Sequence, residues 1–131
     1  MRREPDQELN GLAERVIGAA IEVHRHLGAG FLEVTYQRAL MIELRLRDIP
    51  FQEQVPVSLC YKEESVGDGI MDLLIDGRLI VELKATEPKS DGFRRQAVTY
   101  LRAAGLQLGL VINFNTTVLK DGIARVVHSP E

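Results

Sequence analysis

Residues 69–85, GIMDLLIDGRLIVELKA, set three ionisable side chains, Asp72, Glu82 and Lys84, inside two short apolar runs. The runs IMDLLI and RLIVEL are rich in Ile, Leu and Val and flank Asp76-Gly77, a pattern that predicts two buried strands joined by a tight hairpin turn. A carboxylate buried without a partner is costly even after the surroundings relax. Two carboxylates and an ammonium in one hairpin therefore need each other or a bound cation. Oxygen ligands converging from strands suit Mg²⁺, which usually shares its shell with water and phosphate.

Strand geometry puts a condition on that chemistry. Glu82 and Lys84 are two apart, so they project from one face. A strict two-residue turn at Asp76-Gly77 would set position 72 against 81 and send Asp72 and Glu82 to opposite sides of the sheet. Convergence demands one extra residue, in a three-residue loop or a bulge. The alternative makes no such demand: a structural salt bridge between Lys84 and one carboxylate.

The next helix carries Gln96 and Tyr100 on one face, beside an apolar stripe of Phe93, Ala97, Tyr100, Leu101 and Ala104. Four cations, Lys89, Arg94, Arg95 and Arg102, oppose the single anion Asp91 over this stretch. They form either a local phosphate clamp or a solvated polar face. Helical spacing sets Arg95 and Arg102 two turns apart on one side, flanking Gln96, and sends Arg94 roughly the other way. Upstream, Glu33 in GAGFLEVTY starts a helix, where the dipole alone favours a carboxylate. Tyr36 one turn on suits a core, and His24 borders an apolar stripe near a helix C-terminus.

The elements that must position these residues follow from patterning. Asp6 caps a helix whose stripe is Leu9, Leu12, Val16, Ala19, Val23 and Leu27, ended by Gly28 and Gly30. A second helix is predicted over about 31–47, with Leu32, Tyr36, Ala39, Leu40 and Leu44 inward. QVPVSLCY predicts a strand, KEESVGDG a polar loop, then the hairpin. ATEPKSDG predicts a second loop, followed by the helix over about 93–104, the buried strand LGLVINF and a last strand IARVVH. The order α-α-β-β-β-α-β-β predicts a mixed sheet packed by helices, with the fourth strand parallel to a neighbour.

At 131 residues, the chain is expected to be one domain spanning 1–131. The formal net charge of −3 excludes a basic nucleic-acid coat, so any grip on phosphate must be local. The lone Cys60 excludes an internal disulfide framework. Without an apolar signal core or membrane-length run, a soluble cytoplasmic protein with no membrane partner is expected.

Taken together, these residues resemble a known family. Gly30, Glu33 and Tyr36 in GFLEVTY match the motif of the GxxExxY proteins. AIEVHRHLGAG with His24, the Asp72…Glu82-x-Lys84 set, RRQAVTYLRAAG and LGLVINF resemble the same family in order and spacing. That family is placed in the PD-(D/E)XK nuclease superfamily. The resemblance implies an α/β (α+β) fold with a restriction-endonuclease-like αβββαβ core, a mixed sheet flanked by helices and an extra N-terminal helix. It implies a metal-dependent nuclease hydrolysing phosphodiester bonds, with DNA favoured over RNA and Mg²⁺ or Mn²⁺ as cofactor. Asp72, Glu82 and Glu33 would be the metal ligands, and Lys84 would orient water or steady charge on the phosphate. Gln96 and Tyr100 match a Q-x-x-x-Y helix of exonuclease-like branches. Lys89, Arg95 and Arg102 would be the nucleic-acid contacts suggested by charge. The segment GDGIMD departs from the family in lacking a basic residue two before the aspartate. A catalytically weak binding or assembly module, a metal-free structural protein and a homodimer remain open at this stage.

Overall fold

The protein is described by a computed structural model over residues 4–87 and 92–129. Helix α1 spans Gln7–Leu27 because Asp6 caps it, accepting a hydrogen bond from the Leu9 N–H at 2.8 Å. The Asp6 carboxylate also meets Arg78 at 3.0 Å, and these two donors hold its pKa below the usual range. Gly28, at φ 69°, closes α1 in the left-handed conformation that glycine tolerates. Helix α2 spans Glu33–Leu46 and buries Tyr36, Leu40, Met41 and Leu44. Leu32, expected inward, is instead the residue before the first turn and is 74% exposed.

Strands β1 (Phe51–Tyr61), β2 (Glu64–Ile75), β3 (Leu79–Lys84), β4 (Leu108–Asn113) and β5 (Ile123–Val127) form one sheet in sequence order. Helix α3 (Gly92–Ala104) is the crossover between β3 and β4, which pair in parallel, while the other neighbours pair antiparallel. This is the mixed, helix-flanked α+β architecture anticipated above. Helices α1 and α2 pack Leu9, Val16, Leu40 and Leu44 onto one face of the sheet, with Leu73, Val81 and Leu110. On the other face α3 packs Ala97, Tyr100 and Leu101 onto Met71, Ile80 and Val111. Residues 79–83 and all of β4 are buried, as expected for strands covered on both sides. No helix of the described residues is long and apolar enough to cross a membrane.

One expected loop is a strand. KEESVGDG contributes only its first two residues to a turn, and the rest begins β2. Lys62 and Glu63 both have positive φ, 49° and 71°, matching the hairpin turns that suit the twist of flanking strands. Residues 64–68 are exposed, so neither hydrophobic alternation nor burial marked them as strand; backbone pairing with β1 holds them. Gly69 ends this arm for a steric reason. A Cβ there would lie 2.4 Å from the Tyr100 ring, so only glycine lets α3 sit so close to β2. The first strand also starts earlier than predicted, at Phe51, and a 3-10 turn at Leu119–Gly122 precedes β5.

Candidate active site

The hairpin meets the geometric demand that convergence imposes. Its loop has three residues, Asp76, Gly77 and Arg78; the first two are left-handed at φ 51° and 68°, and the Arg78 N–H bonds the Ile75 carbonyl at 2.9 Å. The register Leu73↔Val81, Leu74↔Ile80 and Ile75↔Leu79, carried one step further, sets Asp72 opposite Glu82. At that step the backbone ladder stops and the side chains take over. The Asp72 N–H donates to Glu82 Oε2 at 2.8 Å, and the Leu83 N–H donates to Asp72 Oδ2 at 2.8 Å. On the other side of β2, Gln54 adopts φ 49° between the paired steps Glu53↔Leu73 and Val55↔Met71. The two carboxylates thus bridge a local irregularity in the sheet, and one oxygen of each is committed to backbone.

Burial has an electrostatic consequence. Glu82 is only 3% exposed, and its pKa is pushed up to about 7. Loss of hydration is the largest cause, and the neighbouring Asp72 charge is the second. The Asp72 N–H and the Lys84 charge pull the other way, while Glu33 adds a smaller upward push. Glu33, exposed in the first turn of α2, therefore feels the same site from a different element. Among the described residues no three His, Cys, Asp or Glu side chains close around one point as a self-sufficient metal cage. Asp72 and Glu82 converge as a pair, and Glu33 stands off at Coulombic range. Lys84 forms no ion pair with either carboxylate among the described residues; its Nζ lies 4.8 Å from the centre of the Phe93 ring. The hairpin is not closed by the salt bridge that was its structural alternative.

A model of the PD-(D/E)XK nuclease superfamily matches residues 10–126. The chain belongs to this superfamily. No curated protein and no solved structure matches it. PD-(D/E)XK nucleases typically use divalent metals such as Mg²⁺. The half-buried Asp72 and buried Glu82 are a donor set that fits such an ion, because a cation would offset both the lost hydration and the Asp72 repulsion that raise the Glu82 pKa.

The remaining residues divide into those near this PD-(D/E)XK pair and those apart from it. Phe93, Gln96 and Tyr100 share one flank of α3; Phe93 meets Lys84, Tyr100 is buried against Gly69, and Gln96 is exposed. The arginines are elsewhere. Arg94, Arg95, Val98, Thr99 and Arg102 line one groove on the outer side of α3, and Gln96 is not part of it. The expectation that Arg94 points away from Arg95 and Arg102 fails because the buried stripe, through Ala97 and Leu101, leaves all three on the solvent side. Lys89 lies outside the described residues.

Tyr36 and His24 serve the scaffold. The Tyr36 ring stacks on Phe114 at 4.3 Å, while its hydroxyl donates to the Gly28 carbonyl and accepts from the Phe31 N–H. It thereby ties down the turn through Gly30, at φ 110°, that leads to Glu33. His24 is buried, with Nε2 3.0 Å from the Thr116 carbonyl. Sequence reasoning passed over Asn113. Its buried amide accepts from the Thr86 and Asn115 N–H groups at 3.3 and 3.0 Å and donates to the Thr86 carbonyl at 2.8 Å. Asn113 stands beside Lys84 in the β3–β4 register and extends that pairing past the strand ends. A lone amide in the apolar run LGLVINF was the available signal.

Proposed function

We propose that this protein is a divalent-metal-dependent nuclease of the GxxExxY type that hydrolyses phosphodiester bonds, with DNA preferred over RNA. The observation that carries the proposal is the paired, backbone-anchored Asp72 and Glu82 with Lys84 beside them and bound to neither. Asp72 and Glu82 would hold the ion, with Glu33 reaching it through water. When bound, the ion supplies a more acidic water and charge neutralisation at the phosphoryl oxygens. Lys84 contributes a fixed positive charge where negative charge builds on the phosphate. Glu82 must be ionised to serve, and its pKa of about 7 places that step near neutrality. Gln96 and Tyr100 line the approach from α3.

The test is cleavage of single- and double-stranded DNA and RNA with Mg²⁺, with Mn²⁺ and with chelator, using Asp72→Asn as control. Cleavage is expected only with metal and only for the parent protein. Chelation should leave the fold intact, since the core on both sheet faces is apolar and independent of the ion. Binding without turnover at any metal would instead support an assembly or binding module.

Arg94, Arg95 and Arg102 would grip backbone phosphate at the outer groove of α3. None of the three arginines is ion-paired among the described residues, so their charge is available. Replacing all three with alanine should flatten the dependence of log affinity on log salt by up to about 3 units. Metal affinity should stay unchanged. An unaltered salt slope would remove the groove from the binding surface.

A further inference from the structure

A pocket of about 570 Å³, used by none of the steps above, lies between the end of α1 and the loop after β4. His24, Arg25 and Gly28 form one wall, and Asn115, Thr116 and Thr117 form the other. Both walls are fixed from behind. Asn113 Oδ1 accepts the Asn115 N–H, and His24 Nε2 bonds the Thr116 carbonyl. Gly122 closes against the same loop, where a Cβ would lie 2.1 Å from the Asn113 carbonyl oxygen and 3.0 Å from Thr116 Cγ2. The polar groups at the pocket are less committed than its frame. Thr116 Oγ1 is buried with no hydrogen-bond partner, and among the described residues the side chains of Asn115 and Thr117 make none.

The chemistry of these walls selects the ligand. The C-terminal end of α1 presents carbonyls and partial negative charge, which disfavours an anion. Arg25, the strongest cation there, already faces Glu22 at 3.7 Å. The Asn115 amide and the Thr117 hydroxyl beside helix carbonyls suit a neutral planar group that both donates and accepts hydrogen bonds, which describes a nucleobase.

Two short backbone connections join the pocket to the carboxylate site. One short turn leads from Gly28 to Glu33, and the Phe114 N–H bonds the Lys84 carbonyl at 2.8 Å just before Asn115. We infer that the pocket receives an unpaired nucleobase of the strand being cut, beside the scissile phosphate. Single strands and frayed ends are then the preferred substrates, because a paired and stacked base cannot enter without being extruded. The inference rests on the nuclease reading above and narrows it.

The experiment measures binding of a labelled single-stranded oligonucleotide and of a blunt duplex of the same sequence, in Ca²⁺. A parallel series carries one abasic residue at each position in turn. The single strand should bind about tenfold more tightly than the duplex, the equivalent of one or two hydrogen bonds plus stacking. One abasic position should abolish that advantage. The double variant Asn115→Ala/Thr117→Val, altered only on the pocket wall, should lose it too while binding duplex as before. Equal binding of intact and abasic strands, or an undiminished preference in the double variant, overturns the inference alone. Failure of every oligonucleotide to bind overturns the nuclease reading along with it.

Discussion

Glu82→Gln is expected to abolish phosphodiester cleavage and yet to raise thermal stability above neutral pH. Glutamine keeps the shape of the side chain and can still accept the Asp72 N–H, now 2.8 Å from Glu82 Oε2. What it removes is a charge that the fold tolerates poorly. The Glu82 carboxyl is raised from 4.5 to about 7 in the folded protein, so the folded state holds this proton more tightly than the unfolded chain. Its favourable contribution is therefore complete below pH 4.5, declines as pH rises to about 7, and is absent above that. The whole interval is worth about 3 kcal/mol, from roughly 2.5 units at about 1.36 kcal/mol each. Glu82→Gln should escape that decline and melt higher than the parent at about pH 8, with the gap vanishing near about pH 4. Mg²⁺ should raise the parent's melting temperature above neutrality, where Glu82 is ionised, and should do nothing for the variant. Melting curves against pH, with and without Mg²⁺, check this directly. Parallel pH profiles for the two proteins would mean that Glu82 is not the buried, strained acid described here.

The sequence carried the site further than the elements around it. The presence of Asp72, Glu82 and Lys84 in apolar strands was enough to pose the question of convergence. The period of two then specified what the loop had to be, and Asp76-Gly77-Arg78 has the extra residue. The arm at residues 64–68 was illegible for a physical reason: a strand exposed on both faces has no burial to leave a pattern, and its glycine and acids read as loop. Leu32 misled in the opposite sense, because an apolar residue just outside a helix can face water without large cost. The arginines of α3 show how a projection depends on its axis. Once Ala97 and Leu101 fix the buried centre of the helix, Arg94 joins Arg95 and Arg102 on the outside and Gln96 falls on another flank. Asn113 stood out as a lone amide, but its partner Thr86 could not be read, because only the parallel register of β3 and β4 links the two.

Lys84→Ala is expected to lower the rate of cleavage by about 10²–10³ while leaving divalent-metal affinity equal or slightly improved. Losing one well-placed stabiliser of transition-state charge typically costs about that factor. Metal affinity should move differently because Lys84 is itself a cation, pulling the Glu82 pKa down but repelling a second positive charge. The side chain is free to act because of where it is held. Its Nζ rests over the Phe93 ring at 4.8 Å, an attraction worth about 0.5–1 kcal/mol at a partly exposed site, rather than collapsed onto Asp72 or Glu82. Phe93→Ala should release it towards the carboxylates, where it competes with the metal. That variant should therefore show weaker metal affinity together with an intermediate rate, and excess Mg²⁺ should restore part of the loss. Lys84→Ala should show no such rescue. Single-turnover rates measured across a metal titration separate the two behaviours. If Lys84→Ala instead loses metal affinity and stability in step with its rate, Lys84 holds the hairpin together and takes no part in the chemistry.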